Sequence, residues 1–126
     1  MRSQTENEWG KCLTEGVLSV IGGSPLVQLK RIFFDAHFKL FAKLEATNPG
    51  GSSKDRAALS IISKAIENGK IRPGTTVIES SSGNMGIGLA QICAYLDLRF
   101  ICVVDPKTCS MPEAVAIMTG AQAPRD

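Results

Sequence analysis

One lysine in an unusual local setting is the residue of this sequence best suited to chemistry. Lys54 follows a Pro-Gly-Gly turn at 49–51 and two serines, and a helical apolar pattern begins beside it near Asp55. Ser52 or Ser53 can cap that helix, which puts Lys54 in the first turn, where unpaired N–H groups carry partial positive charge. This field favours the neutral amine, the form that attacks a carbonyl to make a Schiff base. The competing interpretation is an exposed lysine, tolerated there at a cost of up to about 1 kcal/mol.

A second polar cluster, Ser-Ser-Ser-Gly-Asn at residues 80–84, lies between a β-branched strand pattern and an apolar helix pattern. Hydroxyls, a glycine and the free amides of a helix start together form an anion receptor. Plain capping of the helix explains the same residues, since serine and asparagine are favoured caps, and the two interpretations stay open. The P-loop and the dinucleotide glycine pattern are both excluded, because neither Lys54 nor the glycines at 83–88 have the required spacing.

Strand and helix patterns alternate through the centre of the chain, and these elements must position both clusters. Strands are predicted at 40–45, 76–79 and 99–104, and helices at 55–68, 83–96 and 110–120. This order predicts an α/β fold with a parallel sheet, right-handed crossovers and helices on both faces. Because ligands bind beyond the carboxyl ends of such strands, we expect Lys54 and the serine cluster to face one crevice.

The N-terminal part is predicted to hold a disordered lead at 1–8, a short helix at 9–20 interrupted by Gly16, and a strand at 26–29. Basic and aromatic residues alternate over 30–43. Surfaces that bind single-stranded nucleic acid show the same alternation, so this is one possible interpretation. The alternation at 38–43 instead favours a partly covered strand whose aromatic residues pack in the core.

Composition limits the classes of function. The chain has 126 residues, 44% hydrophobic and 21% charged, which is ordinary for one globular domain. A formal net charge of +2 gives no electrostatic case for nucleic acid or for an anionic membrane. No apolar run approaches a membrane span, and the polar start is not a signal peptide. The four cysteines lack metal-ligand spacing, so we expect no metal site and free thiols in the cytoplasm.

Three segments carry a resemblance to a known family. Residues 48–56, Asn-Pro-Gly-Gly-Ser-Ser-Lys-Asp-Arg, resemble the cofactor-lysine motif of the pyridoxal-phosphate (PLP) β-family, the cysteine synthase group. Residues 79–86 resemble that family's Thr-Ser-Gly-Asn-Thr-Gly substrate loop, in the same order and at a similar separation. The turn and strand at 21–27 are similar to the family's opening Ile-Gly-x-Thr-Pro-Leu-Val, with Ser24 in place of threonine.

The resemblance implies the N-terminal part of the fold type II, tryptophan synthase β-like fold. It divides the chain into N-terminal elements at 9–45, a small α/β unit at 46–122 and a tail at 123–126. It implies that Lys54 holds pyridoxal 5'-phosphate as a Schiff base and later removes the substrate α-proton. It also implies that Asn84 binds the phenolic oxygen of the cofactor ring. The substrate α-carboxylate is expected to bind to Ser81, Ser82 and the amides of Gly83, Asn84 and Met85.

The reaction implied is β-replacement on an O-activated serine. Met85 stands where cysteine synthases usually have a hydroxyl residue, and with residues 102–107 it resembles the branch of N-(2-amino-2-carboxyethyl)-glutamate synthases. Those enzymes join O-phosphoserine to glutamate and supply diaminopropionate for siderophores. Cysteine synthase (O-acetylserine sulfhydrylase), serine or threonine deamination, and a non-catalytic α/β binding module remain as alternatives.

The resemblance runs from about residue 13 to 122 and covers only the first part of the family's fold. The family's phosphate-binding loop and the hydroxyl residue facing the pyridine nitrogen belong to the later part. We therefore expect an N-terminal fragment that binds PLP weakly and has no useful activity alone. For the full-length protein the resemblance implies a homodimer acting on small amino-acid substrates.

Overall fold

The computed structural model describes residues 6–32, 37–81 and 83–104. Short 3-10 turns lie at Gly16–Val20 and Glu45–Thr47. None of the helices in the described ranges combines the length and the apolar character of a membrane span. The helices and strands are, in chain order, α1 Glu6–Cys12, β1 Leu26–Gln28, β2 Phe41–Lys43, α2 Lys54–Glu67, β3 Thr76–Ser80, α3 Asn84–Tyr95 and β4 Arg99–Val103.

Helix α3 lies at the centre of the core, between α2 on one side and strands β3 and β4 on the other. The sequence predicts this position, because a helix without a polar face must be covered on several sides. Helix α1 contributes Trp9 to the same core, so the N-terminal helix and the α/β unit share one apolar interior. The buried apolar residues are Trp9, Leu18, Ala58, Ile62, Ile71, Leu89, Ala90, Ile92, Cys93, Leu96, Leu98 and Phe100.

The described strands form two separate sheets. β3 pairs with β4 in parallel, with Val77 opposite Phe100, as the sequence predicts. β2 pairs instead with β1, antiparallel, with Val27 opposite Ala42. The prediction that the 40–45 strand belongs to the parallel sheet is therefore wrong. β1, which precedes it in the chain, pairs with one edge of β2 in an antiparallel ladder, and no described strand pairs with the other edge.

One face of the β3–β4 pair is covered by α3, through Val77, Phe100 and Cys102. The predicted helix at 110–120 lies outside the described residues, and the expectation of helices on both faces stays a prediction. Ser81 continues the parallel ladder by donating its amide to the Val103 carbonyl at 3.1 Å. The serine cluster therefore begins at the carboxyl end of the parallel strands.

Three details of the N-terminal part differ from the sequence predictions. The helix predicted at 9–20 ends at Cys12, and a separate 3-10 turn forms at Gly16–Val20, because Gly16 adopts a positive φ of 59° that interrupts the helix. Helix α1 begins at Glu6, so residues 6–8, assigned to the disordered lead, are helical. Trp9 is only 2% exposed, and its burial anchors the helix that includes them. Core packing of the aromatic residues at 38–43 is also wrong, because Phe38 and Phe41 are 58% and 49% exposed. Only Leu40 and Ala42 are half-buried, on the covered side of the strand.

Candidate active site

The lysine loop, defined as residues 48–53, delivers Lys54 to the first position of α2. The Lys54 amide donates to Ser52 Oγ at 3.2 Å, so Ser52 rather than Ser53 supplies the hydroxyl at this helix start. The Lys54 side chain is exposed. Its ammonium group has no ion-pair partner among the residues that the structure describes. An accessible amine thus stands at the positive end of a helix.

Asp55 fixes the loop from the helix side. Its side chain is fully buried, and its Oδ2 accepts a hydrogen bond from the Gly50 amide. A Cβ at Gly50 would overlap this carboxylate, so the close approach requires glycine there. Asp55 Oδ1 has no hydrogen-bond partner within the described residues. The carboxylate also lies in the first turn of α2, where negative charge is stabilising.

The loop is fixed from its other side by Asn48, which is 4% exposed. Asn48 Nδ2 donates to the Glu45 carbonyl at 2.7 Å and to Glu45 Oε2 at 2.9 Å. Asn48 Oδ1 accepts from the Gly22 amide at 2.8 Å. The side chain therefore connects the lysine loop to the Gly22–Ser24 turn, more than twenty residues away in sequence.

Glu45 lies at the centre of these contacts, and the sequence analysis did not identify it. Its Oε1 accepts from Ser24 Oγ and from Arg56 Nη1, each at 3.0 Å. Hydrogen bonding, first of all from Asn48, lowers the pKa of the Glu45 carboxyl below its ordinary value. The signal available in the sequence is a carboxylate three residues before the asparagine of the lysine motif.

The serine loop, defined as residues 80–83, leads from β3 into α3. Ser81 Oγ accepts hydrogen bonds from the Gly86 amide at 3.1 Å and the Gly83 amide at 3.4 Å. The Ser81 carbonyl accepts from Cys102 Sγ at 3.3 Å. Burial is the main cause that raises the pKa of the Cys102 thiol. The Ser81 oxygen therefore already accepts hydrogen bonds from two backbone amides at the start of α3, as in the capping interpretation of this loop.

The first turn of α3 still offers donors for an anion. Gly83 is the N-cap, and the Asn84 and Met85 amides that follow it are beyond the reach of an intrahelical carbonyl. Neither amide has a hydrogen-bond partner within 6–32, 37–81 and 83–104. The Asn84 side chain is exposed, whereas Met85 packs against the core and offers only its backbone. Ser82 lies outside the described residues.

Gly88 brings the two helix starts together. A Cβ at Gly88 would lie 3.1 Å from Ala58 Cβ, 3.3 Å from the Lys54 carbonyl oxygen and 3.4 Å from Asp55 Cα. The first turn of α2 therefore packs directly on α3. Asn84 precedes Gly88 by one helical turn, so it begins the same face of α3. The sequence predicts that the two helix starts lie close together, because each follows the carboxyl end of a strand. In the structure, the contact between them is made by packing of α2 on α3.

The Lys54 amine, the exposed Asn84 carboxamide and two amides without a partner among the described residues thus belong to helix starts that pack on one another. Such a set of groups is chemically suited to a carbonyl-bearing anionic ligand. Residues 17–123 match the family model described as pyridoxal-phosphate dependent enzyme. The chain belongs to the pyridoxal-phosphate dependent enzyme family. The family is PLP-dependent, and this chain's α/β architecture agrees with that of its fold type II members.

Similar curated proteins come from two groups within this family. The N-(2-amino-2-carboxyethyl)-L-glutamate synthase of Ralstonia nicotianae is 50% identical over 95 residues, 75% of this chain and 28% of the relative. The Cupriavidus metallidurans protein of the same name is 54% identical over 91 residues, 72% of this chain and 27% of the relative. A Staphylococcus aureus cysteine synthase is 50% identical over 96 residues, 76% of this chain and 31% of the relative.

Solved structures of the family show the same fold. The crystal structure of O-ureido-L-serine synthase has a TM-score of 0.79 at 36% identity and covers 87% of this chain. A hydrogen sulfide-producing enzyme from Fusobacterium nucleatum has a TM-score of 0.77 at 36% identity and covers 86%. This chain spans 34% and 36% of the lengths of those two proteins. It therefore spans about a third of the length of its relatives.

The described residues fit the cofactor that defines the family. PLP requires an amine for its aldehyde, and the Lys54 amine is accessible at a helix start. The ring oxygen requires a donor, which the exposed Asn84 carboxamide can provide. Lys54 and Asn84 each begin a helix, and the first turn of α2 contacts α3 at Gly88, one turn after Asn84.

Proposed function

We propose that this chain provides the cofactor lysine and the substrate-binding turn for PLP-dependent β-replacement on an O-activated serine. The observation that carries the proposal is the contact of the Lys54–Asp55 backbone with Gly88 of α3. It packs the helix start that carries the lysine against the helix that begins at Asn84, whose first two amides have no partner among the described residues. The reaction needs an amine and an anion-binding turn close to one small substrate.

Each residue has a defined task in the proposal. Lys54 Nζ binds the cofactor covalently and, once released, accepts the proton from the substrate α-carbon. The Asn84 carboxamide donates a hydrogen bond to the ring oxygen. When bound, PLP supplies the electron sink that lets the β-substituent of the substrate leave.

The substrate α-carboxylate binds at the start of α3 in this proposal. The amides of Asn84 and Met85 donate to it, aided by the helix dipole. Ser81 contributes its hydroxyl proton, because the one acceptor of that proton among the described residues is the Gly83 carbonyl at a long 3.5 Å. Its oxygen meanwhile keeps the Gly86 amide in place. The same hydroxyl can therefore cap the helix and bind an anion.

The substrates proposed are O-phosphoserine and glutamate, which yield N-(2-amino-2-carboxyethyl)-glutamate. The two relatives bearing that synthase name, at 50% and 54% identity, support this assignment. Cysteine synthase is the second candidate, because the Staphylococcus aureus enzyme is also 50% identical. Met85, at a position that resembles a hydroxyl site of cysteine synthases, favours the first candidate.

Borohydride reduction in the presence of PLP tests the role of the lysine. The full chain is incubated with PLP, reduced and mapped by peptide mass spectrometry. We expect the adduct chiefly at Lys54, lost in Lys54→Ala and retained in Lys64→Ala, an exposed lysine at the other end of the same helix. Equal labelling of both lysines would contradict the proposal and favour the non-catalytic binding module.

Substrate choice is tested on the PLP-loaded chain by the change in cofactor absorbance. We expect O-phosphoserine to cause a larger change than O-acetylserine at equal concentration. The reverse order would favour cysteine synthase. The homodimer, the cytoplasmic location and the low activity of this chain alone stay predictions of the sequence.

A further inference from the structure

Three segments of the chain converge on the Glu45 carboxylate. The Gly22–Ser24 turn reaches it through Ser24 Oγ at 3.0 Å, and α2 reaches it through Arg56 Nη1 at 3.0 Å. The lysine loop reaches it through Asn48 Nδ2 at 2.9 Å. The Lys43 ammonium adds a 2.8 Å bond to the Ser24 carbonyl and holds the turn from β2.

The contact with Asn48 is the one that extends to the lysine. Asn48 is buried and has hydrogen bonds at both ends of its carboxamide, to Glu45 and to the Gly22 amide. Its own carbonyl accepts from the Gly51 amide at 2.8 Å, which closes the turn before α2. A change at Glu45 is therefore transmitted through Asn48 to the residues immediately before Lys54.

The bond to Arg56 is the weaker part of this arrangement. The Arg56 side chain is 52% exposed, and an ion pair in that setting contributes little. Asn48 and Ser24 are both buried, so losing the carboxylate would leave their buried donors without an acceptor, which is the costlier loss. The carboxylate thus acts mainly on the lysine loop and the turn.

We propose that Glu45 is a positioning residue, which sets the path of the lysine loop and so aims the Lys54 amine at the cofactor site. The proposal rests on the proposed function for the role of Lys54. Glu45 touches neither cofactor nor substrate; it acts through Asn48. Its counterpart on the helix side is Asp55, which holds the Gly50 amide. A reactive amine must be held within about half an ångström of its productive geometry, and these two carboxylates restrain both sides of its loop.

Glu45→Gln tests the proposal in the full chain, with Glu67→Gln as the matched control. Glu67 is an exposed carboxylate at the far end of α2. Glutamine keeps the shape of the side chain but replaces one carboxylate oxygen with an NH₂ group. That group then faces an N–H or O–H donor of Asn48, Ser24 or Arg56, and one hydrogen bond is lost. Loss of one such bond predicts amide hydrogen exchange about tenfold faster at Gly22 and Gly51, while the core amides of α3 keep their rates.

The second measurement is the ratio of PLP adducts at Lys54 and Lys64 in the same molecule after borohydride reduction. We expect Glu45→Gln to lower this ratio about tenfold and Glu67→Gln to leave it unchanged. General destabilisation would change both lysines and the α3 amides alike, and that result would overturn the positioning role. Unchanged exchange at Gly22 and Gly51 would overturn it as well.

The two proposals fail in different ways. If Lys54 of the unsubstituted chain forms no selective adduct, the proposed function fails, and exchange at Gly22 and Gly51 still reports whether Glu45 orders the loop. If the unsubstituted chain forms the adduct and Glu45→Gln forms it equally well, the positioning role alone fails. Glu45→Asp, which keeps the charge on a shorter side chain, should recover part of the Lys54 selectivity.

Discussion

The lysine loop and the serine loop both lead into a helix, but they are held by different kinds of contact. The lysine loop depends on side chains from elsewhere, since Asn48 bonds to Gly22 and Glu45 bonds to Ser24. The serine loop is held by its own Ser81 hydroxyl and by continuation of the parallel ladder. The comparison teaches that both helix starts are tied to distant segments, the lysine loop through polar side chains and the serine loop through the backbone ladder to β4, with one hydroxyl bonding within its own helix start.

Breaking the contact between the two helix starts should have the largest effect on both loops. Gly88→Leu places a side chain where Ala58 and the Lys54 carbonyl already lie, 3.1 and 3.3 Å from the new Cβ. Overpacking of this kind costs about 1–3 kcal/mol or more. Urea unfolding should therefore show a clear loss of stability.

Gly10→Leu is the control for that substitution. It adds the same side chain to a helix where nothing lies within 4 Å of the new Cβ. Because leucine forms helix better than glycine, stability should be equal or higher. Equal stability of both variants would show that the approach of α2 to α3 at Gly88 is not tight.

Removing the Ser81 hydroxyl should weaken the serine loop alone. Ser81→Ala deletes the acceptor of the Gly86 and Gly83 amides, while the Gly86 amide keeps its 3.0 Å bond to the Gly83 carbonyl. The cost in urea unfolding should therefore be at most about 1 kcal/mol. Ser80→Ala, at an exposed neighbour, should be neutral. Exchange of the Gly22 amide should stay unchanged in Ser81→Ala. Faster exchange at Gly22 would mean that the two loops are coupled.

Acid should act on the lysine loop more than on the serine loop. Hydrogen bonding, first of all from the Asn48 side chain, lowers the pKa of Glu45 in the folded chain below its ordinary value of 4.5. Between the two pKa values the unfolded chain binds more protons, so stability rises with pH. The contribution of Glu45 is therefore present above about pH 4.5 and is lost as the pH falls through the lower, folded value.

Urea midpoints of the unsubstituted chain and Glu45→Gln, measured from pH 3 to 6, check this sign. We expect their difference to be largest at the upper end and to shrink in acid. A difference that grows as the pH falls would contradict the ionised, hydrogen-bonded state of Glu45.

The smallest effect is expected at a buried thiol in α3, away from both loops along the chain. Burial raises the pKa of Cys93 to about 12. At pH 8 only about one molecule in ten thousand then carries the thiolate that reacts with iodoacetamide. Peptide mapping should show labelling of Cys93 far slower than that of the half-buried Cys12. Comparable rates would show that the core opens readily, and in Gly88→Leu we expect Cys93 labelling to accelerate.

Local chemistry made several features predictable. The predicted bounds of the helices at 55–68 and 83–96 lie within one residue of α2 and α3, because caps and glycine stops act over a few residues. The family resemblance followed from the two motifs and is confirmed by the match over residues 17–123. The assignment of Lys54 and Asn84 as cofactor-binding residues stays a prediction until the adduct is mapped.

The sequence by itself determined that a lysine begins one helix, that a serine and asparagine turn begins another, and which family these belong to. Tertiary structure alone decided that β2 pairs with β1, that Gly88 joins the two helix starts and that Glu45 holds Asn48. The physical reason is distance along the chain. Caps and turns depend on neighbours, whereas the half-buried Glu45 carboxylate accepts from donors, such as Ser24 and Arg56, that only folding brings to it.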